Sequence, residues 1–167
     1  VYYNPLMTRK QMEDFTKELC LHISKAERII PGGYIYMNDL LYSHDICRKI
    51  GIALASMFFG LEIDYVITVE TKGIPIALMT AHILNKPMVV VRNQSKLTDG
   101  TVIHMNYLTG SNRRIKTMCL STNAIKKGSK VLFIDDFMKA GGTAKGIVDL
   151  MQEFEAELVG TGVLMST

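Results

Sequence analysis

Two adjacent carboxylates followed closely by a glycine pair are the residues of this sequence best suited to chemistry. Asp135 and Asp136 stand at the end of the apolar run Val131-Leu132-Phe133-Ile134, and the turn Gly141-Gly142-Thr143 follows shortly after. Side by side, two carboxylates can accept hydrogen bonds from a sugar diol or organise water around a hard cation such as magnesium. Glycine lets a backbone approach an oxygen-rich ligand, the free amides at a helix start donate to phosphate, and Thr143 can add its hydroxyl. The pattern therefore reads as a site that takes polyol and phosphate together. In a plainer reading the acids cap the following helix and the glycines only make its turn, but this leaves the second acid without a task.

The elements that would position these groups alternate. Tyr65–Val69 is rich in β-branched residues and nearly continuous in its apolar character, as expected of a strand covered on both faces. A turn at Lys72-Gly73-Ile74-Pro75 leads to a helix over residues 75–84 with Pro at its start. Residues 87–91 and 131–134 form further strands, residues 143–155 a helix, and residues 158–164 a last strand. Such β-α-β repetition predicts an α/β domain with a mainly parallel sheet and helices on both faces. Upstream, Thr8 and Gln11 have capping-box spacing for an amphipathic helix running to about residue 30. Pro31-Gly32-Gly33 ends it, an extended piece Tyr34-Ile35-Tyr36 and a polar loop follow, and Ser43 caps a helix closed by Gly60. Residues 92–121 break the rhythm and read as an irregular hairpin arm, a candidate lid; Val102, His104, Asn106 and Leu108 keep its alternation only loosely.

In open parallel sheets ligands bind beyond the carboxyl ends of the strands. The three best strands end in Glu70-Thr71-Lys72-Gly73, in Arg92 and in Asp135-Asp136, which converge on one crevice suited to a polyanion with metal nearby. Neither G-x-x-x-x-G-K-[ST] nor G-x-G-x-x-G is present, so Walker A and nicotinamide chemistry drop out.

Composition sets the bounds. A chain of 167 residues, 48% hydrophobic and 21% charged, holds one well-packed domain. A formal charge of +3 suits anionic metabolites at least as well as nucleic acid. Cys20, Cys47 and Cys119 are odd in number, widely spaced and free of any C-x-x-C pattern, which suggests neither a disulfide framework nor a zinc site and fits a reducing cytoplasm. The longest apolar stretch, residues 50–61, is too short for a bilayer, which takes roughly 20 helical residues. The chain starts at Val1 with neither initiator methionine nor signal-peptide pattern and reads as a piece of a longer protein. His22, His44, His82 and His104 lack metal-ligand spacing and read as structural, and the methionines as core filler.

The run Val131 to Asp136 followed by Gly141-Gly142-Thr143 resembles the 5-phosphoribosyl 1-pyrophosphate (PRPP) motif of type I phosphoribosyltransferases. Together with Pro31-Gly32-Gly33-Tyr34, Thr71-Lys72-Gly73-Ile74-Pro75, Arg113-Arg114-Ile115-Lys116-Thr117-Met118 and Phe137-Met138-Lys139-Ala140, it resembles the effector domain of the bacterial pur operon repressors, over nearly the whole chain. The resemblance implies that Asp135 and Asp136 contact the ribose hydroxyls. It implies the 5-phosphate at Lys139, Ala140, Gly141, Gly142 and Thr143, and pyrophosphate at Thr71, Lys72 and Gly73, with Mg2+ carried in on PRPP.

Enzymes of the family usually carry Thr or another small residue where Lys139 stands, and they continue past the last strand into a segment over the base. The resemblance therefore implies PRPP sensing, with no catalytic residue, in a purine-operon repressor induced by PRPP; the alternative is a xanthine- or adenine-type phosphoribosyltransferase. It implies operator DNA as a partner through a winged-helix domain N-terminal to this chain, and a homodimer. Arg113, Arg114 and Lys116, and Lys126, Lys127 and Lys130, read as solvated faces rather than a DNA reader. Tyr42 and His44 fall where the family's enzymes build the base subsite.

Overall fold

The computed structural model describes residues 6–25, 29–30, 34–35, 38–109 and 114–166. Helix α1 spans Arg9–Lys25 and opens on the expected capping box: Thr8 N–H donates to Gln11 Oε1 at 2.8 Å and Gln11 N–H to Thr8 Oγ1 at 3.3 Å. It does not extend to residue 30, because Ile29–Ile30 (β1) pairs antiparallel with Tyr34–Ile35 (β2). The Pro31-Gly32-Gly33 turn and Tyr36 lie outside the described residues. Where a polar loop is expected, a short helix α2 runs over Asn38–Tyr42. Helix α3, His44–Met57, begins at Ser43 as predicted, and Gly60 beyond its end has φ +93°.

The central sheet has four strands in the order β4-β3-β7-β8: β3 is Tyr65–Val69, β4 Met88–Val91, β7 Lys130–Met138 and β8 Glu157–Ser166, and all its pairings are parallel. Helix α4 (Ile74–Leu84) carries the chain from β3 outward to β4, and α5 (Gly142–Glu153) carries it from β7 outward to β8. The two crossovers thus diverge from the central pair β3 and β7. Alternate strand residues face opposite layers. Val66, Leu132 and Ile134 pack with Ile76, Ala77 and Ala81 of α4 and with α3, while Ile67, Val69, Val131 and Phe133 pack with Ile147, Leu150 and Met151 of α5. This is a parallel sheet with helices on both faces, and the gap between the carboxyl ends of β3 and β7 is its topological switch point.

Two expectations need correction. The segment after Arg92 is no irregular arm. β5 (Val102–Leu108) and β6 (Ile115–Ser121) pair antiparallel over seven register positions, from Val102↔Ser121 to Leu108↔Ile115. Tyr107, Met118 and Leu120 are buried in the core on the α5 side, so the body of the hairpin completes that layer and is not a lid. His104 lies on β5, exposed, rather than in a loop. Second, β7 does not stop at Ile134: it runs on through the acid pair, with Asp135 opposite Val163 and Met138 opposite Ser166 of β8. Its pairing with β3 ends at Ile67↔Phe133, so the acids stand where one neighbour strand has been lost.

Candidate functional site

Two helices start at this switch point, and neither has a capped N-terminus. Helix α4 begins at Gly73 and α5 at Gly141, both without a side-chain cap and without an acid in the first turn. By contrast α3, which starts elsewhere, is capped by Ser43 and carries Asp45 in its first turn. The opening amides of a helix are donors with no intrahelical acceptor, and the helix dipole adds positive potential there. Two such ends are two places for anionic oxygen.

The turn into α5 is shaped for that purpose. Ala140 has φ +55° and Gly141 φ +67°, two successive left-handed residues that turn the chain from β7 into α5. Glycine takes this conformation freely, while for Ala140 it costs roughly 1–2 kcal/mol, strain of the kind concentrated at functional turns. The first helical bond, from Lys145 N–H to Gly141 O at 2.9 Å, leaves the amides of Gly142, Thr143 and Ala144 ahead of it. A niche beneath them is lined by Phe133, Asp135, Lys139, Gly142 and Thr143 among others. The structure thus brings Asp135 together with the predicted phosphate turn.

On the other side, Gly73 meets Asp135. Its φ of −67° is open to any residue, so glycine stands here for space. A Cβ on Gly73 would lie 2.5 Å from Thr68 Oγ1, 2.9 Å from Asp135 Oδ1 and 3.3 Å from Asp135 Cα. Gly73 is therefore packed directly on Asp135, while Thr71 and Lys72 before it are exposed. The Glu70–Thr71 peptide is cis.

Asp135 is an unusual carboxyl. Burial, then the neighbouring Asp136 charge, pushes it from 3.8 up to about 7, against the lowering effect of the Asp136 N–H that donates to its Oδ1 at 2.9 Å. Unfolded, this group loses its proton near 3.8; folded, it holds the proton to about 7. Stability from this group is therefore full below pH 4, falls as pH rises between those values, and falls no further above 7. At about 1.4 kcal/mol per unit the limit is about 4 kcal/mol, which solvent at the partly exposed carboxyl reduces to about 2 kcal/mol. Thermal melts from pH 4.5 to 8 should show the decline in the wild type and a shallower slope in Asp135→Asn.

Several groups here escape the sequence. Tyr107 of β5, buried in the core, has its phenol pushed up by burial and then by the charge of Asp135. Thr68 Oγ1 is buried against Gly73 with no hydrogen-bond partner. Asn93 binds Glu70 twice, N–H to Oε2 at 2.6 Å and Nδ2 to the main-chain oxygen at 3.4 Å. A spacing rule finds none of them, since each is defined by a neighbour distant in sequence.

Arg92, expected as a charge facing the crevice, is turned to the hairpin: its guanidinium pairs with Asp99 at 3.4 Å and its backbone exchanges hydrogen bonds with Cys119 at 3.0 and 2.8 Å. His44 lines a separate cleft of about 620 Å³ between α3 and α4, together with Arg48, Leu78 and His82, and Tyr42 is largely exposed. Arg114, Lys116 and Lys126 are exposed, Lys127 pairs with Glu155 at 2.6 Å, and Lys130 pairs with Glu62; Arg113 lies outside the described residues. No helix among the described residues is long and apolar enough to cross a membrane.

A parallel sheet whose central strands deliver an acid pair and two uncapped helix ends to one switch point is the architecture of type I phosphoribosyltransferases. The chain belongs to the phosphoribosyl transferase domain family, which matches residues 38–167. Among curated proteins it is 47% identical over 165 residues to the purine biosynthesis transcriptional repressor PurR of Bacillus subtilis (strain 168), covering 99% of this chain and 58% of that protein. It is 39% identical over 165 residues to the purine biosynthesis transcriptional activator PurR of Lactococcus lactis subsp. lactis (strain IL1403), covering 99% and 61%. The chain thus spans about three fifths of the length of these relatives. Among solved structures, adenine phosphoribosyltransferase from Thermoanaerobacter pseudethanolicus ATCC 33223 superposes with a TM-score of 0.77 at 20% identity, covering 87% of this chain and 86% of that one, a likeness of fold.

Proposed function

We propose that this chain is the PRPP-sensing domain of a transcriptional regulator of purine biosynthesis. The observation that carries the reading is the placement of Asp135, with Asp136 next to it on β7, between two uncapped helix N-termini, which matches a sugar diol lying between a monophosphate and a diphosphate. Asp135 and Asp136 take the ribose hydroxyls. Lys139, Ala140, Gly141, Gly142 and Thr143 hold the 5-phosphate, and Thr71, Lys72 and Gly73 hold the pyrophosphate, with the exposed Lys72 beside it. Among the described residues no group of three or more His, Cys, Asp or Glu could hold a metal. A magnesium ion would therefore take most of its ligands from diphosphate oxygens and water and come in with PRPP.

As a sensor, the domain couples PRPP to DNA by binding it more tightly in one of two states of the whole protein. The DNA contact belongs to a winged-helix domain outside this chain, PRPP acts as inducer, and the working form is a cytoplasmic homodimer. Purine regulation is supported by the likeness to the two regulators above, one named a repressor and the other an activator. Lys139, at the point where the family's enzymes favour a small residue, supports sensing over turnover. The test is incubation with magnesium PRPP and a panel of purine bases while nucleotide and pyrophosphate are followed. No product is expected; turnover with any base would make this a purine phosphoribosyltransferase.

A further inference from the structure

Glu70 joins β3 to the loop of residues 71–73, and three of its polar atoms are engaged by the end of β4 and the residues just after it. Its N–H donates to Val91 O at 2.9 Å. Its main-chain oxygen accepts from Asn93 Nδ2 at 3.4 Å, and its Oε2 accepts from Asn93 N–H at 2.6 Å. Two of these three ties come from one residue. Asn93 and its neighbour Arg92 divide the end of β4 between them: the Arg92 backbone pairs with Cys119 of the hairpin, and Asn93 turns to the loop.

The Asn93 amide makes this contact at a cost. Its Oδ1 is buried and has no hydrogen-bond partner, an exception to the rule that buried polar atoms are satisfied. Turning the amide over would set that oxygen against the main-chain oxygen of Glu70, acceptor to acceptor. The donor contact of Nδ2 therefore fixes the orientation and leaves the oxygen orphaned. A side chain present only to fill space would be better without that oxygen, so the contact with Glu70 is what the residue contributes.

We infer that Asn93 is a positioning residue for the pyrophosphate-binding loop: through Glu70 it fixes where Thr71, Lys72 and Gly73 present their amides, without touching the ligand. This inference rests on the PRPP reading of the site. Holding a loop in its bound geometry raises affinity because less freedom is lost on binding. The effect is confined to one half of the ligand, since the 5-phosphate turn is carried by β7 and α5, to which Asn93 makes no hydrogen bond among those described.

The experiment is calorimetric titration of the wild type, Asn93→Asp and Asn93→Ala with magnesium PRPP, magnesium pyrophosphate and ribose 5-phosphate, with melting curves alongside. Aspartate keeps the shape, cannot donate, and sets another oxygen against Glu70. It should weaken PRPP and pyrophosphate about tenfold, as for loss of one buried hydrogen bond, and leave ribose 5-phosphate within about twofold; alanine should act in the same direction and carries the test if the aspartate variant does not fold. A parallel loss of all three ligands, as from general loosening, or no loss at all, overturns the inference while the PRPP reading stands. A wild type that binds neither PRPP nor ribose 5-phosphate overturns both.

Discussion

Replacing Asp135 and Asp136 together by asparagine is expected to weaken magnesium PRPP binding by at least about 100-fold without lowering the melting temperature at pH 8. In the proposed complex each carboxylate would accept a charge-assisted hydrogen bond from a ribose hydroxyl, worth about 1.5–3 kcal/mol, and two such losses exceed the roughly 2.7 kcal/mol of a hundredfold change. Stability should move the other way. Burial and the Asp136 charge hold the Asp135 carboxyl at about 7, so at pH 8 the folded protein carries an ionised group in a place that disfavours it. An amide there removes that penalty. Asp135 is thus held in a place that works against the fold above pH 7, the trade-off a ligand-binding role for it would carry. Loss of stability in step with loss of binding would mark the acids as structural.

Gly73→Ala is expected to cost about 1–3 kcal/mol of stability, as overpacking of a closed site does, and to remove measurable PRPP binding. The added methyl group would meet Thr68 Oγ1 at 2.5 Å and Asp135 Oδ1 at 2.9 Å. Thr68 is a fully buried β-branched residue in the central strand β3 and has little room to turn. Relief must come from the start of α4 or from Asp135, and either movement separates the pyrophosphate loop from the acid pair. A melting curve and a titration on the same sample check both effects; an alanine variant with unchanged melting temperature and affinity would show that the loop and the acid do not depend on each other.

The parts of this architecture legible in the sequence are those written in contiguous residues. Strand β3 and the stretch of β7 over residues 131–134 are almost wholly apolar because helices cover both their faces, and the acid pair, the glycine turn and the start of α5 follow one another closely along the chain. The rest depends on contacts between distant segments. Ile29 and Ile30 continue the apolar spacing of α1, yet they form β1 because they pair with β2. The hairpin looked irregular because its alternation was read one residue out of phase. Ile103, Met105 and Tyr107 face the core while His104, Asn106 and Leu108 face out, and in a strand a one-residue offset exchanges the two faces. The length of β7 is set by β8, which continues beside it after β3 has ended.

The same division runs through the site. Asp135 and Gly141 are visible as a motif, but that Gly73 packs on Asp135 and that Asn93 holds Glu70 are facts of tertiary structure. Arg92 shows the limit from the other side: a cation at the end of a strand looks like a ligand contact until Asp99 is found paired with it.

Titration of the wild-type chain with magnesium PRPP in a calorimeter tests the central claim most directly. Saturable binding with one PRPP per chain, competed by ribose 5-phosphate and by magnesium pyrophosphate each acting on its own half of the site, is the predicted result. Absence of binding at millimolar PRPP, or binding unaffected by both competitors, would contradict it.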